Sequence, residues 1–577
     1  MRRISLLILC GFVLFLNSNI SVTAQNTKQV VQDIDKIFGK NTEIQFKFAI
    51  SSRNEIRNLT KIISISNVKG NEVYAFASKK EFSKFVQLNY QYQIIKNEVN
   101  SLDLNMLDHM NSKAIQAWDF YPTYTVYDSL MTRFQINYPN LCRTFSIKTL
   151  TSGRKLLFVK LSSNPDAIEN KPKFLYTSSM HGNELTGYIL TLHLIDYLLS
   201  NYGSNARVTN ILNNTEIWIN PLANPDGTYR GGNSSVSLAT RENANNIDFN
   251  RNFPDPQDGL HPDGNAWQPE TMAFMALADS IQFTMSANFH GGAEVVNYPW
   301  DTWDSLYHKH ADQKWWNYVS REYADTVHIN SVTGYLNDLD NGVTNGYAWY
   351  RITGGRQDYM NYFKHCREFT VEVSNTMTPA ANQLQSFWNY NYRSLLNYIE
   401  QSSYGIKGIV TDSITGLPLK AKIFIQGHDI DSSHVYSMLP LGNYFRPIYA
   451  GNYNLTYSAP GYISKTVNAT TVNKASVIKN VQLVSSINTI QSVERTNELS
   501  LFPNPAQNSL RISFKNQLSK NSTLLIADMQ GNSIFKTSIS PNDETLNINL
   551  IGFAKGIYLV RLINDNEISS VKKLIIY

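Results

Sequence analysis

The sequence predicts an α/β domain that is preceded by a small α+β unit and followed by two small all-β sandwich domains. Between residues 112 and 402, strand-like apolar runs such as Lys173–Tyr176 alternate with helical segments such as Leu185–Leu199. This alternation favours a mixed central sheet flanked by helices. After residue 403, short β-like runs separated by turn signals indicate the two sandwiches. Strand-like and helix-like patterns are mixed before residue 112, which indicates the α+β unit.

A chain of 577 residues is long enough for several domains. Changes in composition and turn content place the boundaries between them. The expected segments are a signal peptide (1–24), a propeptide-like or accessory unit (25–111), the α/β domain (112–402), a first sandwich (403–484), a linker (485–497) and a last all-β domain (498–577).

The N-terminus has the layout of a secretory signal peptide. Arg2 and Arg3 precede the apolar run Ile4–Leu16, and small residues lead up to a cleavage point after Ala24. No later stretch approaches the roughly 18 consecutive apolar residues that indicate a membrane-spanning helix. We therefore expect a secreted or cell-surface protein without a transmembrane segment, and we expect it to be a monomer.

The composition excludes several classes of protein. Apolar residues make up 42% of the chain and charged residues 17%, which is typical of globular rather than disordered proteins. The net charge is only +5, without a basic stripe interleaved with aromatic residues, so nucleic acid is not an expected partner. Three cysteines are too few for a disulfide scaffold or a thiolate zinc site. Beyond the signal peptide, Cys142 and Cys366 could pair, but two buried thiols are the commoner case.

The residues that can carry chemistry fall in the α/β domain. His181 and Glu184 follow one predicted strand and precede a helix, which is where open α/β sheets place their sites. Across a tight turn this spacing lets an imidazole and a carboxylate reach the same cation. His290 ends another predicted strand and can supply a third ligand, a common arrangement for catalytic zinc with an open water position. Alone, His290 could equally be a core histidine with ordinary hydrogen bonds.

A polar segment between these ligands, residues 241–254, adds two kinds of functional group. Asp248 can accept the second ring N–H of a ligating histidine and so fix its tautomer. Arg241 and Arg251 can bind a carboxylate or polarise a carbonyl group. Taken alone, this segment could also be a solvated polar loop.

The order of these motifs resembles that of the zinc metallocarboxypeptidases, the funnelins, and most closely their N/E branch, which includes carboxypeptidases N, E and D. The resemblance covers about 290 residues and keeps the order and spacing of the motifs. The motifs are His181-x-x-Glu184, Asn224–Gly227, Asp248–Phe253, His290–Gly292, Tyr350 with Gly354–Gly355, and Thr370–Val373.

The resemblance implies one Zn²⁺ per catalytic domain. By motif position, His181, Glu184 and His290 would be the ligands, and Asp248 would bond a ligand histidine. Glu372 would be the general base, taking a proton from a water whose pKa zinc lowers to about 7.

The resemblance also assigns the substrate-binding residues. Arg241 would stabilise the scissile carbonyl oxygen, and Asn250, Arg251 and Tyr350 would clamp the terminal carboxylate of the substrate. Such a clamp implies exopeptidase action on peptide or protein C-termini, because an internal peptide would leave these donors unpaired in a closed pocket.

The choice of C-terminal residue depends on two further positions. In the N/E branch an acid after the His-Gly-Gly motif carries a preference for Lys or Arg, and Asp301 occupies that position here. Gln357 also matches the branch, whereas its neighbour Arg356 stands where the branch often has an apolar residue. Arg356 would repel cations if it faced the pocket. The alternative for Asp301 is that it points to the surface.

The flanking domains resemble known accessory modules. Residues 405–484 resemble the transthyretin-like sandwich that follows the catalytic domain in the N/E branch. The last domain, with Leu501–Pro505, Gly556–Arg561 and the basic, apolar tail Lys572–Ile576, resembles the C-terminal sorting domain of type IX secretion substrates. It implies a secretion machinery as partner, with release or surface anchoring; an ordinary adhesion sandwich is the alternative.

Two other functions remain open from the sequence. An inactive peptide-binding or surface-adhesion module is one, although the three expected zinc ligands and Glu372 are all present. The other is a zinc exopeptidase or amidase with a different C-terminal preference, including one for peptidoglycan-type peptides.

Overall fold

The computed structural model describes residues 34–39, 41–95, 104–110, 117–486, 499–514, 522–564 and 567–577. The predicted signal peptide lies outside these residues, as does most of the predicted linker. Residues up to Val484 form one compact unit, and residues from Ser485 form a second. Within the described ranges, no helix has both the length and the apolar character needed to cross a membrane.

The N-terminal unit is a four-stranded antiparallel sheet with one helix packed on it. Its elements are β1 (Glu43–Ala49), α1 (Ile56–Leu59), β2 (Ser64–Lys69), β3 (Glu72–Ser78), α2 (Lys79–Val86) and β4 (Tyr92–Ile95), with strand order β2-β3-β1-β4. Phe46 and Phe48 alternate with polar residues on β1 and pack against Phe82 and Phe85 of α2. The α+β character predicted for this segment is therefore confirmed.

The α/β domain is built on an eight-stranded mixed sheet of order β13-β12-β14-β11-β9-β10-β8-β7. Its eight strands are β7 (Cys142–Thr149), β8 (Lys155–Leu161), β9 (Lys173–Ser178), β10 (Glu216–Asn220), β11 (Met285–His290), β12 (Ala293–Tyr298), β13 (Val343–Asn345) and β14 (Arg367–Ser374). Four pairs of neighbouring strands are parallel: β10 with β9, β9 with β11, β11 with β14, and β12 with β13. The other three pairs, β12 with β14, β10 with β8, and β8 with β7, are antiparallel. The short strands β5 (Met106–Leu107) and β6 (Tyr121–Pro122) pair separately with each other.

Helices cover both faces of this sheet. They include α3 (Tyr124–Asn137), α4 (Thr186–Ser200), α5 (Ala206–Asn214), α6 (Pro225–Thr228), α7 (Pro269–Ser280), α8 (Gln313–Asn330), α9 (Gly346–Trp349), α10 (Arg356–Phe363) and α11 (Leu384–Gln401). On β9, Phe174 and Tyr176 join the apolar cluster under α3, α4, α8 and α11, whereas Leu175 joins the one under α7 and α10. Successive side chains of a strand point to opposite faces, so β9 is buried on both sides.

The first all-β domain consists of two small sheets that pack around one apolar core. Its strands are β15 (Gly405–Asp412), β16 (Lys422–Ile425), β17 (Val435–Tyr436), β18 (Asn443–Arg446), β19 (Gly451–Ser458), β20 (Lys465–Thr471), β21 (Ser476–Ile478) and β22 (Val481–Leu483). We call residues 405–484 the β-sandwich unit.

The second compact unit is also all-β, as the sequence predicts. One sheet has the order β23-β24-β27 and the other β26-β25-β28-β29. The strands are β23 (Leu499–Phe502), β24 (Ser509–Phe514), β25 (Ser522–Asp528), β26 (Ser533–Ile539), β27 (Thr545–Asn549), β28 (Gly556–Asn564) and β29 (Glu567–Ile576).

Candidate metal centre and substrate cleft

Three of the predicted residues meet at the carboxyl ends of β9 and β11. His181 and Glu184 lie in the turn after β9, and His290 is the last residue of β11. The Nδ1 atoms of His181 and His290 are 3.0 Å apart, and the Glu184 carboxylate lies 2.9 Å from the first and 2.8 Å from the second. All three side chains are buried, and one ligand atom of each lies within 4.8 Å of the others. Two imidazole nitrogens and one carboxylate that converge in this way fit a zinc ion with an open position.

Asp248 and Arg241 surround this triad. Asp248 Oδ1 lies 3.0 Å from Nε2 of His181, the ring nitrogen that points away from the triad. Arg241 Nη1 donates to Glu184 at 2.8 Å, and its Nη2 donates to Asp248 at 3.3 Å. Burial disfavours a charged Asp248, but the charges of His181, Arg251 and Arg241 outweigh it and hold the pKa of Asp248 well below its usual range. Asp248 can therefore stay ionised as the partner of His181.

The residues expected to clamp a carboxylate lie on two segments: Asn250 and Arg251 are on a short 3₁₀ helix, and Tyr350 directly follows α9. The helix spans Phe249–Arg251 and is capped by Asp248, whose Oδ1 accepts the backbone N–H of Asn250 at 2.9 Å. Arg251 and Tyr350 are both buried and line the same cavity as the triad. The structure thus brings Asn250, Arg251 and Tyr350 together next to the three candidate metal ligands.

Glu372 faces the triad from β14. It pairs in register with His290 of the neighbouring parallel strand β11. Its Oε2 has no hydrogen-bond partner among the described residues. Burial, followed by the negative charge of Glu184, raises the pKa of Glu372 well above its usual range. Glu372 lines the same cavity as the triad, and an ionised carboxylate beside a metal site can accept a proton from a bound water.

Asp301 lies inside the cleft and is only 4% exposed, so it does not point to the surface. Its Oδ1 accepts hydrogen bonds from Gln357 Nε2 at 2.9 Å and from Asn297 Nδ2 at 3.2 Å. Burial raises the pKa of Asp301 to about 7. No arginine or lysine forms an ion pair with Asp301 among the described residues. The floor of the pocket therefore offers a carboxylate that lacks a cationic partner.

Arg356 points away from this pocket. Its Nε and Nη2 donate to the carboxylate of Glu368 at 3.0 and 2.9 Å, and Ser286 Oγ donates to Glu368 at 2.6 Å. The guanidinium carbon lies 5.7 Å from the ring centroid of Phe274. Glu368 compensates the charge of Arg356, and the guanidinium does not face the pocket, where it would repel a cation.

Some residues of the cleft carry no sequence signal. Gly346 is one: a Cβ at this position would lie 1.7 Å from Asp301 Oδ1, so only glycine fits beside the acid. Asp358 is another, because it accepts the backbone N–H groups of Asp301 and Thr302 at 3.1 and 2.9 Å and fixes that turn. Ser66 of the N-terminal unit also lines the cavity. A glycine, a helix acid and a serine are too common for the sequence to single them out.

Cys142 and Cys366 are both free thiols and both buried, as expected for the commoner case.

The sequence was compared with known protein families and known proteins. The profile of the zinc carboxypeptidase family matches residues 127–394. Mouse carboxypeptidase N catalytic chain is 33% identical over 397 residues, which cover 62% of this chain and 84% of that one. The chain belongs to the zinc carboxypeptidase family. Mouse carboxypeptidase D is 35% identical over 389 residues, 64% of this chain, but the match spans only 28% of that longer relative.

Two further comparisons concern the C-terminal domain and solved structures. The profile of a secretion system C-terminal sorting domain matches residues 500–577 of this zinc carboxypeptidase family member. The crystal structure of carboxypeptidase A from Helicoverpa armigera aligns with a TM-score of 0.48 at 16% identity, covering 62% of this chain and 97% of that one. A crystal structure of thrombin activatable fibrinolysis inhibitor aligns over the same shares with a TM-score of 0.47 at 17% identity.

Proposed function

We propose that this protein is a zinc-dependent carboxypeptidase that removes Lys or Arg from the C-termini of peptides or proteins. The observation that carries the proposal is the presence, in one cavity, of the metal triad, the carboxylate clamp and the unpaired acid Asp301. An inactive binding module would have no use for a complete ligand set and a buried Glu372 beside it.

The metal is proposed to bind His181, Glu184 and His290. Their two nitrogens and one carboxylate are the donor types that zinc prefers, and His181 keeps Asp248 on its other ring nitrogen, which fixes the tautomer. Zinc held there would lower the pKa of a water molecule to about 7 and polarise the scissile carbonyl.

Glu372 is proposed as the base that takes the proton from the attacking water and later returns it to the departing amine. Its free Oε2 supports this role. Arg241 lies beside Glu184 in the cavity, where its N–H groups can stabilise the negative charge that develops on the carbonyl oxygen.

Exopeptidase action follows from the proposed clamp. Arg251, Asn250 and Tyr350 offer several donors on one side of the triad, and a free terminal carboxylate can satisfy them together. An internal peptide segment has no such anion, so it would leave buried donors without partners.

Preference for basic residues is assigned to Asp301. A Lys or Arg side chain would supply the missing cationic partner, and the amide groups of Asn297 and Gln357 hold the carboxylate in place. Because burial raises the pKa of Asp301 to about 7, the preference is expected to weaken as the pH falls below neutral and the acid takes up a proton.

We further propose that the protein is exported to the exterior or the cell surface. The match of residues 500–577 to a secretion sorting domain supports this, together with the predicted signal peptide at 1–24. The sorting domain would be the part of the chain that meets the secretion machinery.

The test of this function is a comparison of turnover on short peptides ending in Lys, Arg, Phe or Glu. Asp301→Asn should lower kcat/KM for the Lys and Arg peptides about a hundred-fold, because a buried charge loses its partner, and should leave the Phe peptide nearly unchanged. Asp279→Asn, which removes an exposed acid paired with Lys364, is the matched control.

Zinc content and the turnover of Glu372→Gln test the mechanism separately from the specificity. The purified protein should hold one zinc per chain, and Glu372→Gln should keep that zinc while losing turnover on every peptide. A Lys preference that survives Asp301→Asn would disprove the pocket assignment, and a metal-free protein with full turnover would disprove the mechanism.

A further inference from the structure

The loop that carries Asp301 runs from the α/β sheet to the β-sandwich unit. Residues 299–312 connect β12 to α8, and Asp312 at the end of the loop directly precedes α8. Arg446 of the β-sandwich unit donates to both carboxylate oxygens of Asp312 at 2.8 and 2.9 Å, and His428 Nε2 of the same unit lies 2.8 Å from Asp312 Oδ1. The loop is therefore bound to the β-sandwich unit at its C-terminal end.

A second contact joins the middle of this loop to the same unit. His308 Nε2 lies 2.7 Å from Asp431 Oδ2, and the two side chains are only partly exposed. The His308 ring also stacks on Trp303, with ring centroids 4.2 Å apart and an angle of 22° between the planes. Asp431 thus fixes the ring against which Trp303 packs.

Aromatic rings carry both contacts to the turn at Asp301. Trp300, which directly precedes Asp301, is 1% exposed and packs against Trp303 at a centroid distance of 5.1 Å and against His310 at 4.8 Å. His310 is fixed in its turn, because its Nδ1 accepts the backbone N–H of Asp312 at 2.9 Å. Close-packed rings have little room to shift independently of each other. The two contacts with the β-sandwich unit therefore meet at Trp300, next to the proposed specificity acid.

Hydrogen bonds from the α/β domain hold the backbone of the same turn. Asp358 accepts the backbone N–H groups of Asp301 and Thr302 at 3.1 and 2.9 Å, and Tyr347 donates its backbone N–H to the Trp300 carbonyl at 3.0 Å. The Trp300 side chain is held by packing instead, since its Nε1 has no hydrogen-bond partner among the described residues. Two of the rings around it are tied to the β-sandwich unit, so its position depends on that unit.

We propose that the β-sandwich unit positions the specificity acid of the cleft: Asp431 and Arg446 hold the loop of residues 299–312, and the packed rings pass this constraint to Asp301. The unit then influences which residue is removed, although none of its described residues lines the cavity. His308 and Asp431 are positioning residues, because they act on the pocket only through the loop. The inference rests on the proposed Lys or Arg preference only for its readout in turnover, since the loop can also be measured without substrate.

Breaking the contact between His308 and Asp431 tests this in the full-length protein. Asp431→Ala releases the His308 ring, so the loop spends part of its time with Asp301 displaced, and the apparent affinity for a basic residue falls with the competent fraction. kcat/KM on a peptide ending in Lys should fall about five-fold through KM, while kcat and the turnover of a Phe-ending peptide stay close to wild type. Asp166→Ala is the matched control, because the ion pair of this exposed acid with Arg143 does not involve the loop.

Two results of the turnover comparison would overturn the proposal. One is a wild-type ratio of Lys to Phe turnover in an active Asp431→Ala protein. The other is a fall in kcat that affects both peptides alike, because this is what a general structural role of the contact would produce.

Hydrogen exchange followed by mass spectrometry measures the loop without substrate. In Asp431→Ala the backbone N–H groups of Asp301 and Thr302 should exchange about three-fold faster than in the wild type, since their bonds to Asp358 open more often. Unchanged exchange there, or faster exchange confined to residues 305–310, would overturn the proposal. Faster exchange at Asp301 in a protein whose wild type turns over no peptide would support the positioning role and refute the proposed catalytic function.

Zinc content and thermal unfolding of each variant show that the fold is kept. An Asp431→Ala protein that unfolds early is replaced by Asp431→Asn, which keeps a side chain of similar size and removes the charge. The same changes in the Lys-to-Phe ratio and in hydrogen exchange are then expected at a smaller size. A wild-type value of either quantity in that folded variant would count against the proposal.

Discussion

Two units pack on the same α/β domain through opposite kinds of chemistry. The β-sandwich unit docks through charges that compensate each other: Arg446 donates to Asp312 at 2.8 and 2.9 Å and to Asp429 at 2.7 Å, and Arg367 donates to Asp312 at 2.8 Å. The N-terminal unit docks mainly through hydrogen bonds to backbone groups. The carbonyl of Ile65 accepts from Arg251, Arg53 donates to the carbonyls of Ala348 and Trp349, and Glu43 accepts the backbone N–H groups of Arg241 and Glu242.

The difference shows which boundary should cost more to break. Breaking a buried ion network leaves charges without partners and costs several kcal/mol, so the β-sandwich unit should be the harder one to separate from the domain. The N-terminal unit meets the domain through hydrogen bonds and apolar packing, and losing one such hydrogen bond costs less, on the order of 1 kcal/mol.

The strongest test of this contrast is Asp312→Asn. The change leaves the buried guanidinium groups of Arg367 and Arg446 without their shared anion, so the unit that ends at Val484 should lose about 3 to 5 kcal/mol of stability. Chemical denaturation of the full chain measures it. Asp166→Asn, which removes an exposed partner of Arg143, is the control and should cost less than about 1 kcal/mol. A loss that small for Asp312→Asn would mean that the network does not hold the β-sandwich unit.

Docking of the N-terminal unit should depend on pH through Glu43. Burial raises the pKa of Glu43 to about 7 from an ordinary value of 4.5; the nearby charge of Glu81 adds to the increase, and the Arg241 charge and the N–H groups of Arg241 and Glu242 oppose it. The docked state thus binds a proton that the released state gives up. Docking is strongest below pH 4.5 and weakens as the pH rises through 7.

Glu43→Gln removes this titration, since its amide stays neutral. The free energy of unfolding of the wild type relative to Glu43→Gln, measured by chemical denaturation between pH 5 and 8, should fall by up to about 3 kcal/mol and then level off above pH 7. Subtracting the value of the variant cancels the pH dependence of the groups that both proteins share. A difference that does not change with pH would show that Glu43 does not link protons to docking.

The cleft also contains one charge that has an ion-pair partner and one that lacks it. Changing these charges is expected to have a smaller effect than the substitutions above. Glu368 neutralises Arg356, whereas Asp301 has no ion-pair partner in the part of the chain that the structure describes. Glu368→Gln would leave a buried positive charge near the pocket, and the ratio of turnover on Lys-ending to Phe-ending peptides should fall about ten-fold. Arg356→Gln/Glu368→Gln removes both charges and should restore the ratio. A folded Glu368→Gln protein with the wild-type ratio would show that Arg356 does not influence the pocket.

Much of the site could be predicted from the sequence because its residues follow the ends of strands. His181 lies shortly after the apolar run that forms β9, and His290 ends the run that forms β11; because these strands are parallel neighbours, their carboxyl ends meet at one edge of the sheet. The burial of Asp301 beside Gln357 was foreseen only by resemblance, since nothing local to Asp301 tells a pocket acid from a surface one. The direction of Arg356 depends on Glu368, which lies on a different element.

The sequence by itself determined the α/β class, the zinc-type donor set and the all-β character of the C-terminal domains. These follow from residue types and from periodicities that act over a few positions. Only the tertiary structure decided that Ser64 lies between Arg241 and Asp248, that the Ile65 carbonyl meets Arg251, that Arg356 turns away from Asp301 and that Gly346 leaves room for the acid. Those outcomes depend on contacts between distant segments, and a backbone carbonyl that binds Arg251 leaves no mark in the sequence, because every residue has one.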